Sequence, residues 1–242
     1  MHLAYLLVGL LAAGSEETAK RTAEKTAEKK EDDTRVEAWA GHQVLKGARK
    51  IPIYGNKETH TENFVIAEVH RNGKHIDVLQ KICRIAVQPI KGVTASMRRE
   101  TVLRLPKSRF SIDVDPNGSL VAAAWTTGWG KEDVDADGHP GATINISGST
   151  CAGDVYVSNQ TTSRILSGRA SEDGITGTMS SQVRQEIFGA SGICLKLMAG
   201  DSVENQTGWF AYRRTPIGIS CRSLATQPWP VHAVPPTSSS KQ

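Results

Sequence analysis

Phe64-Val-Ile-Ala-Glu-Val-His-Arg-Asn-Gly-Lys-His-Ile-Asp-Val-Leu-Gln-Lys-Ile-Cys83 is a pair of β-rich runs around Asn72-Gly73. Asn-Gly is the dipeptide that most readily takes the positive φ angles of a type I′ turn. A two-residue hairpin on Asn72-Gly73 fixes a register: Arg71 opposite Lys74, His70 opposite His75, Val69 opposite Ile76, Glu68 opposite Asp77. Side chains alternate across a strand. One face therefore carries Val69, Ile76, Ala67 and Val78, and is the core face. The other carries His70, His75, Glu68 and Asp77.

Working outward, short alternating runs recur on both sides of this hairpin. They include Val36–Leu45, with Trp39 as an anchor, Ile51–Tyr54, Thr101–Leu105, Phe110–Val114, Ser119–Trp125 and Thr143–Ser147. Asp154–Ser158, Arg164–Ala170, Ile175–Ser180, Gln185–Phe188, Ile193–Leu197 and Gly208–Arg213 follow. Turn sequences separate them at roughly 8–15 residues, the signal of an all-β chain. Lys46–Lys50 is expected to turn, and Asp115-Pro-Asn-Gly118 has proline where a β-turn favours it. The fold class expected is all-β: an antiparallel up-and-down β-barrel, with a β-sandwich as the alternative.

Ile165-Leu-Ser-Gly-Arg-Ala-Ser-Glu-Asp-Gly-Ile-Thr-Gly-Thr178 pairs two glycine-containing strands around a Glu-Asp-Gly turn. This segment resembles the closing meander of calycin-type barrels, the lipocalin and avidin architecture. Ala38-Trp-Ala-Gly41 echoes the early Gly-x-Trp of lipocalins with the order of Gly and Trp reversed. The resemblance implies the barrel architecture, and fold does not set function.

The ends of the chain differ from its middle. Leu3–Gly14 is an apolar run too short to span a bilayer comfortably and ends in small residues, so residues 1–14 are expected to be a signal peptide. Residues 15–35 repeat Thr-Ala-Glu-Lys without an apolar stripe, and suit a charged, partly helical or disordered tether. Residues 36–226 would form the β domain, and 227–242, rich in Pro and then Ser, a disordered tail. The expected location is secreted or periplasmic, with no membrane span in the mature chain.

A net charge of +4 is too mild for nucleic acid, and no Lys/Arg cluster is interleaved with aromatics. Cys83, Cys151, Cys194 and Cys221 fit two disulfides in an exported chain, against buried free thiols as the alternative. Three connectivities are possible; Cys151–Cys194 nested within Cys83–Cys221 is favoured. Each bridge would stabilise by about 2–4 kcal/mol through the unfolded state.

Asp133-Val-Asp-Ala-Asp-Gly-His-Pro-Gly141 carries the strongest chemical motif. Calcium takes six to eight oxygens. Alternate Asp133, Asp135 and Asp137 can turn to one centre, Gly138 permits the bend, and the backbone of His139 adds a ligand. The loop resembles the first half of an EF-hand, but the twelfth position is Ile144 instead of Glu. The competing reading is an acidic β-turn loop. His70, His75, Glu68 and Asp77 form a possible second metal or ligand site, because two imidazoles and a carboxylate suit zinc. Glu58, His60 and Glu62 share one strand face. No Gly-x-Ser-x-Gly, His-Glu-x-x-His or phosphate loop occurs, so no catalytic residue is assigned. The expected function is non-catalytic binding of a small or apolar ligand or an envelope partner, with a structural calcium loop. The alternatives are a structural or interaction domain without a pocket, and a hydrolase assembled only in the fold.

Overall fold

A computed structural model describes residues 34–51, 55–149 and 151–235. The expected signal peptide, nearly all of the tether, the expected strand Ile51–Tyr54 beyond its first residue and the last residues of the tail lie outside them. Strands take up 63% of the structure and helices 8%, which makes it all-β. The strands are β1 (Thr34–Ile51), β2 (Gly55–Asn72), β3 (His75–Val87), β4 (Thr94–Ser96), β5 (Ser108–Val114), β6 (Leu120–Val121), β7 (Trp125–Trp129), β8 (Ala142–Ser147), β9 (Gly153–Ala170), β10 (Gly174–Ala190) and β11 (Ser202–Thr215). Two short α-helices, α1 (Arg99–Arg104) and α2 (Ile193–Met198), interrupt them, and a 3₁₀ helix, Ser223–Thr226, follows β11.

The strands form one antiparallel up-and-down sheet curled into a half-barrel. Its order is β4-β8-β9-β10-β11-β1-β2-β3-β5-β6, with β7 also on the outer edge of β9. A bridge between Ser119 and Arg169, with the Ala170 N–H donating to Gly118 O at 2.8 Å, ties the β6 end of the sheet to the end of β9. The disulfides are Cys83–Cys221 and Cys151–Cys194.

The opening hairpin corrects its expected register and keeps its faces. Asn72 pairs with His75, so Gly73 and Lys74 make the turn. Positive φ is confined to Gly73, at +57°, the pattern of a type II′ turn rather than I′. The pairs become His70–Asp77, Val69–Val78 and Glu68–Leu79. This arrangement opposes an imidazole to Asp77, where the expected one opposed two carboxylates. Each residue of β2 meets a partner two positions further along β3. Because side chains alternate with a period of two, the same residues stay inside. Val69 and Ile76 are completely buried, and Ala67 and Val78 nearly so.

Four further expectations give way. Ser119–Trp125 is not one strand: β6 ends at Val121 and β7 begins at Trp125. Lys46–Lys50 does not turn: β1 runs through it, and Gly47 sits where a Cβ would lie 2.5 Å from the Glu204 carboxylate. Thr101–Arg104 is helical, with Leu105 capping it. Val102 and Leu105, three apart, are both buried, and Pro106 follows where the helix has ended. Ile193–Leu197 is also helical. Leu195 is buried while Ile193 and Leu197 are 81% and 80% exposed, a split that a strand would not give to residues two apart.

Inside the half-barrel the lining changes along its length. One end is apolar, with Trp39, Val65, Ile76, Ile112, Ile175, Phe210 and Tyr212 in a single cluster. Toward the other end the inward positions become Gln43, Gln80, Ser163, Ser181, Gln206 and Glu204, all buried. At the apolar end Glu37 is 4% exposed. It accepts from the Trp39 indole N–H at 2.8 Å and from Arg214 Nε and Nη2 at 3.2 and 3.0 Å, with Arg71 Nε 3.7 Å away.

Glu37→Ala should lower the unfolding free energy by about 2–3 kcal/mol, because it strands a buried indole N–H and the buried Nε of Arg71. Glu37→Gln, which keeps an acceptor, should cost less. Urea denaturation of the two variants checks the order.

Candidate metal site and barrel cavity

The acidic loop joins β7 to β8. It is closed by Val134 N–H donating to Gly141 O at 2.9 Å and Gly141 N–H to Lys131 O at 3.3 Å. Ala136 and Gly138 take positive φ, +59° and +87°, so the chain folds tightly enough to gather the carboxylates. Oxygens of Asp133, Asp135 and Asp137 all lie within 4.8 Å of one another, and these three residues could hold a metal ion.

The loop's own backbone N–H groups bond two of the three carboxylates. Asp133 accepts the Gly138 and Asp137 N–H groups at 2.9 and 3.2 Å. The Gly138 bond is the larger influence holding its carboxyl below the usual carboxylate range. Asp137 accepts the His139 N–H at 2.9 Å and the Thr143 hydroxyl at 2.5 Å. Asp135 instead ties the loop to the domain. Its Oδ2 accepts the hydroxyl of Thr101 on α1 at 2.9 Å and the Thr143 N–H on β8 at 3.1 Å. Its Oδ1 is buried and has no hydrogen-bond partner. The His139 ring stacks on Tyr156, with centroids 3.9 Å apart. Ile144 packs in the second apolar cluster, so no bidentate carboxylate comes from that position.

The polar end of the half-barrel encloses a cavity of about 90 Å³. It lies between the inward side chains of β1, β3 and β10 and the strand β7, and its lining holds no charged group. Tyr212 organises it: the hydroxyl accepts from Gln43 Nε2 at 2.7 Å and donates to Gln80 Oε1 at 2.5 Å. Asn63 donates to Gln43, and Ser163 and Ser181 bond to each other at 2.9 Å. Burial pushes the Tyr212 phenol well above its usual range, so it stays protonated and keeps donating. Ligand pockets usually run to about 300–1,000 Å³. This space has room for a few waters or a very small neutral molecule.

The hairpin residues form separate pairs on an exposed face. His70 Nε2 lies 2.8 Å from Glu68 Oε1, while His75 Nδ1 turns to Asp113 at 2.7 Å. The Asp113 bond holds the His75 imidazole above its usual range. Asp77 accepts from Ser111 at 2.5 Å, and the same Oδ1 lies 3.4 Å from His75 Nε2. That order places Asp77 between Ser111 and His75, whereas an activated serine needs the imidazole beside its hydroxyl. Ser191 accepts the Asp154 N–H at 2.7 Å and fastens the start of β9. Glu62 bridges two imidazoles, His42 at 3.0 Å and His60 at 3.4 Å.

Sequence reading missed Thr101, Thr143, Gln43, Gln80, Tyr212 and His42. The glutamines had a signal: each stands at an inward position of a strand whose neighbouring inward residues are apolar. Comparison with protein-family models, with curated proteins and with solved structures finds no match to this chain. Among the described residues no helix is long and apolar enough to cross a membrane.

Tyr212→Phe should cost about 1–2 kcal/mol in chemical denaturation, since it leaves Gln43 and Gln80 short of a partner in a mostly enclosed space.

Proposed function

We propose that the chain is an exported, non-catalytic β-barrel protein that serves as an interaction module for an envelope partner and carries a calcium ion in the 133–141 loop as a structural staple. The observation that carries the calcium reading is the buried, unpartnered Oδ1 of Asp135 within a three-carboxylate group. A buried charged oxygen without a partner is costly, and a cation removes that cost. Calcium–oxygen distances of about 2.3–2.6 Å place any two ligands of one ion within about 5 Å. The spacing of the three carboxylates suits that limit. Magnesium is a poorer fit, because it demands stricter octahedral geometry than an exposed loop imposes. With Asp135 bonded to α1 and β8, the ion would fasten the loop to the domain and would not act as a sensor.

Export is supported by the two disulfides and by the apolar run at residues 3–14. An interaction role is favoured over storage of an apolar ligand because packed side chains fill the apolar end of the interior. A second reading rests on the cavity beside β7. Its uncharged amide and hydroxyl lining suits a neutral hydrogen-bonding ligand of a few heavy atoms.

Calorimetric titration of chelator-treated protein with calcium should give one site in the 10⁻⁴–10⁻³ M range typical of extracellular modules, roughly. Asp135→Ala should abolish the heat. At ten times the dissociation constant the ion should add about 1.4 kcal/mol, seen as a rise in Tm of about 3–6 °C. No heat from the wild-type protein at millimolar calcium sinks the calcium reading.

A further inference from the structure

Residues 227–235 were expected to begin a disordered tail. Instead they cross the outer face of β1. The Trp229 indole N–H donates to Gly41 O at 3.0 Å, and the Trp209 indole N–H donates to Ala233 O at 3.2 Å. Trp229 also meets the Phe64 ring edge-on, with centroids 5.4 Å apart. Val44 and Ala211 are buried beneath this strap together with its Ala233. Upstream, Cys221 is bonded to Cys83 of β3. Cys83 is the extra residue of a β-bulge, since Phe64 pairs with Arg84 and Val65 with Ile82.

His42 lies under the strap, 4% exposed, with its ring stacked on Phe64 at 4.5 Å. Its Nδ1 accepts the Ala233 N–H at 2.9 Å. Accepting at Nδ1 places the ring proton on Nε2, which faces Glu62 Oε2 at 3.0 Å. The docked strap therefore requires a neutral imidazole in one tautomer. A second proton has only Nδ1 to go to, and there it would point at the Ala233 N–H, donor against donor.

We propose that the strap is an acid-released cover for the outer face of β1 and β2, and that His42 is the group whose protonation releases it. The surroundings of His42 set the direction. Glu62 on β2 favours the imidazolium, but Glu62 is shared with His60 on the same strand. Arg84 on β3 and His232 on the strap, whose ring meets His42 edge-on at 5.5 Å, oppose it. Burial opposes it most, and the balance holds the docked His42 below its ordinary value.

The sign follows by linkage. A released, hydrated His42 loses the burial that lowers it and keeps Glu62 beside it, so it titrates above the docked form. Below the released value the released form binds more protons than the docked form, so docking weakens as pH falls. Docking is at full strength above the released value. It loses up to tenfold in its equilibrium constant per pH unit below that, until the docked value is reached. Release uncovers Phe64, Val44 and Trp209 while leaving the barrel's inward face untouched.

The test follows backbone amides of the full chain by NMR from pH 7.5 to 5.0. The Ala233 amide and its neighbours in 229–235 should lose their docked shifts and become mobile across this range, while inward-facing barrel amides such as those of Val69 and Ile112 stay unchanged. His42→Asn supplies an acceptor that does not titrate, and should keep the strap docked throughout. His42→Phe supplies none, and should leave the strap's state independent of pH. His232→Gln should retain the transition with a shifted midpoint. The proposal is overturned if wild-type Ala233 stays docked at pH 5.0, if both His42 variants keep the wild-type transition, or if His232→Gln abolishes it.

Discussion

Trp39 sets the terms for the rest of this domain. It is the largest side chain buried completely, and an indole that leaves water must still place its N–H. Glu37, two residues earlier on the same face of β1, takes it. That choice brings a carboxylate into the end of the half-barrel, and a buried carboxylate needs cations. Arg214 on β11 and Arg71 on β2 supply them from the two strands that flank β1. Arg71 also lies over the Trp39 ring. One aromatic thus fixes the chemistry of three adjacent strands and plugs the apolar end of the interior.

The opposite end solves a different problem. Strands as long as β1, β9 and β10, at 18, 18 and 17 residues, outrun the apolar core. Their inward positions continue in amides and hydroxyls, which must bond to one another. The Gln43–Tyr212–Gln80 chain and the Ser163–Ser181 pair meet that requirement. Further on, Arg49 donates to Gln185, and Glu204 accepts from Thr59 and Gln206. A gradient from apolar to polar along one interior lets a single sheet stay ordered beyond its hydrophobic core.

Much of this was legible in the sequence, because alternation has a strict period. The inward set on β2 and β3 came directly from it and survived an error in the turn. The turn was not legible: Asn72-Gly73-Lys74 satisfies type I′ with one pair of central residues and type II′ with the next. The choice rests on cross-strand charges and on pairing with β5. The two helices were misread because six residues are too few to separate a period of two from one of 3.6. The aspartates at 133, 135 and 137 were visible by spacing. Their anchors were not, since Thr101 lies 34 residues away and meets Asp135 only through the packing of α1. The strap was hidden by composition. Proline and serine indicate a segment with little to bury, yet Trp229 seats it beside Phe64 and Ala233 bonds it to His42 and Trp209.

The bond between Cys83 and Cys221 gives that seat a further property. Eight positions separate Cys221 from Trp229. A 3₁₀ turn over Ser223–Thr226 with Leu224 buried shortens that reach further. A lifted strap therefore remains a tethered ligand of its own barrel, at an effective concentration in the millimolar range. Re-docking is unimolecular, so dilution does not shift it. Any free competitor for the same face must outbid that local concentration, and cutting the disulfide lowers the threshold it has to reach.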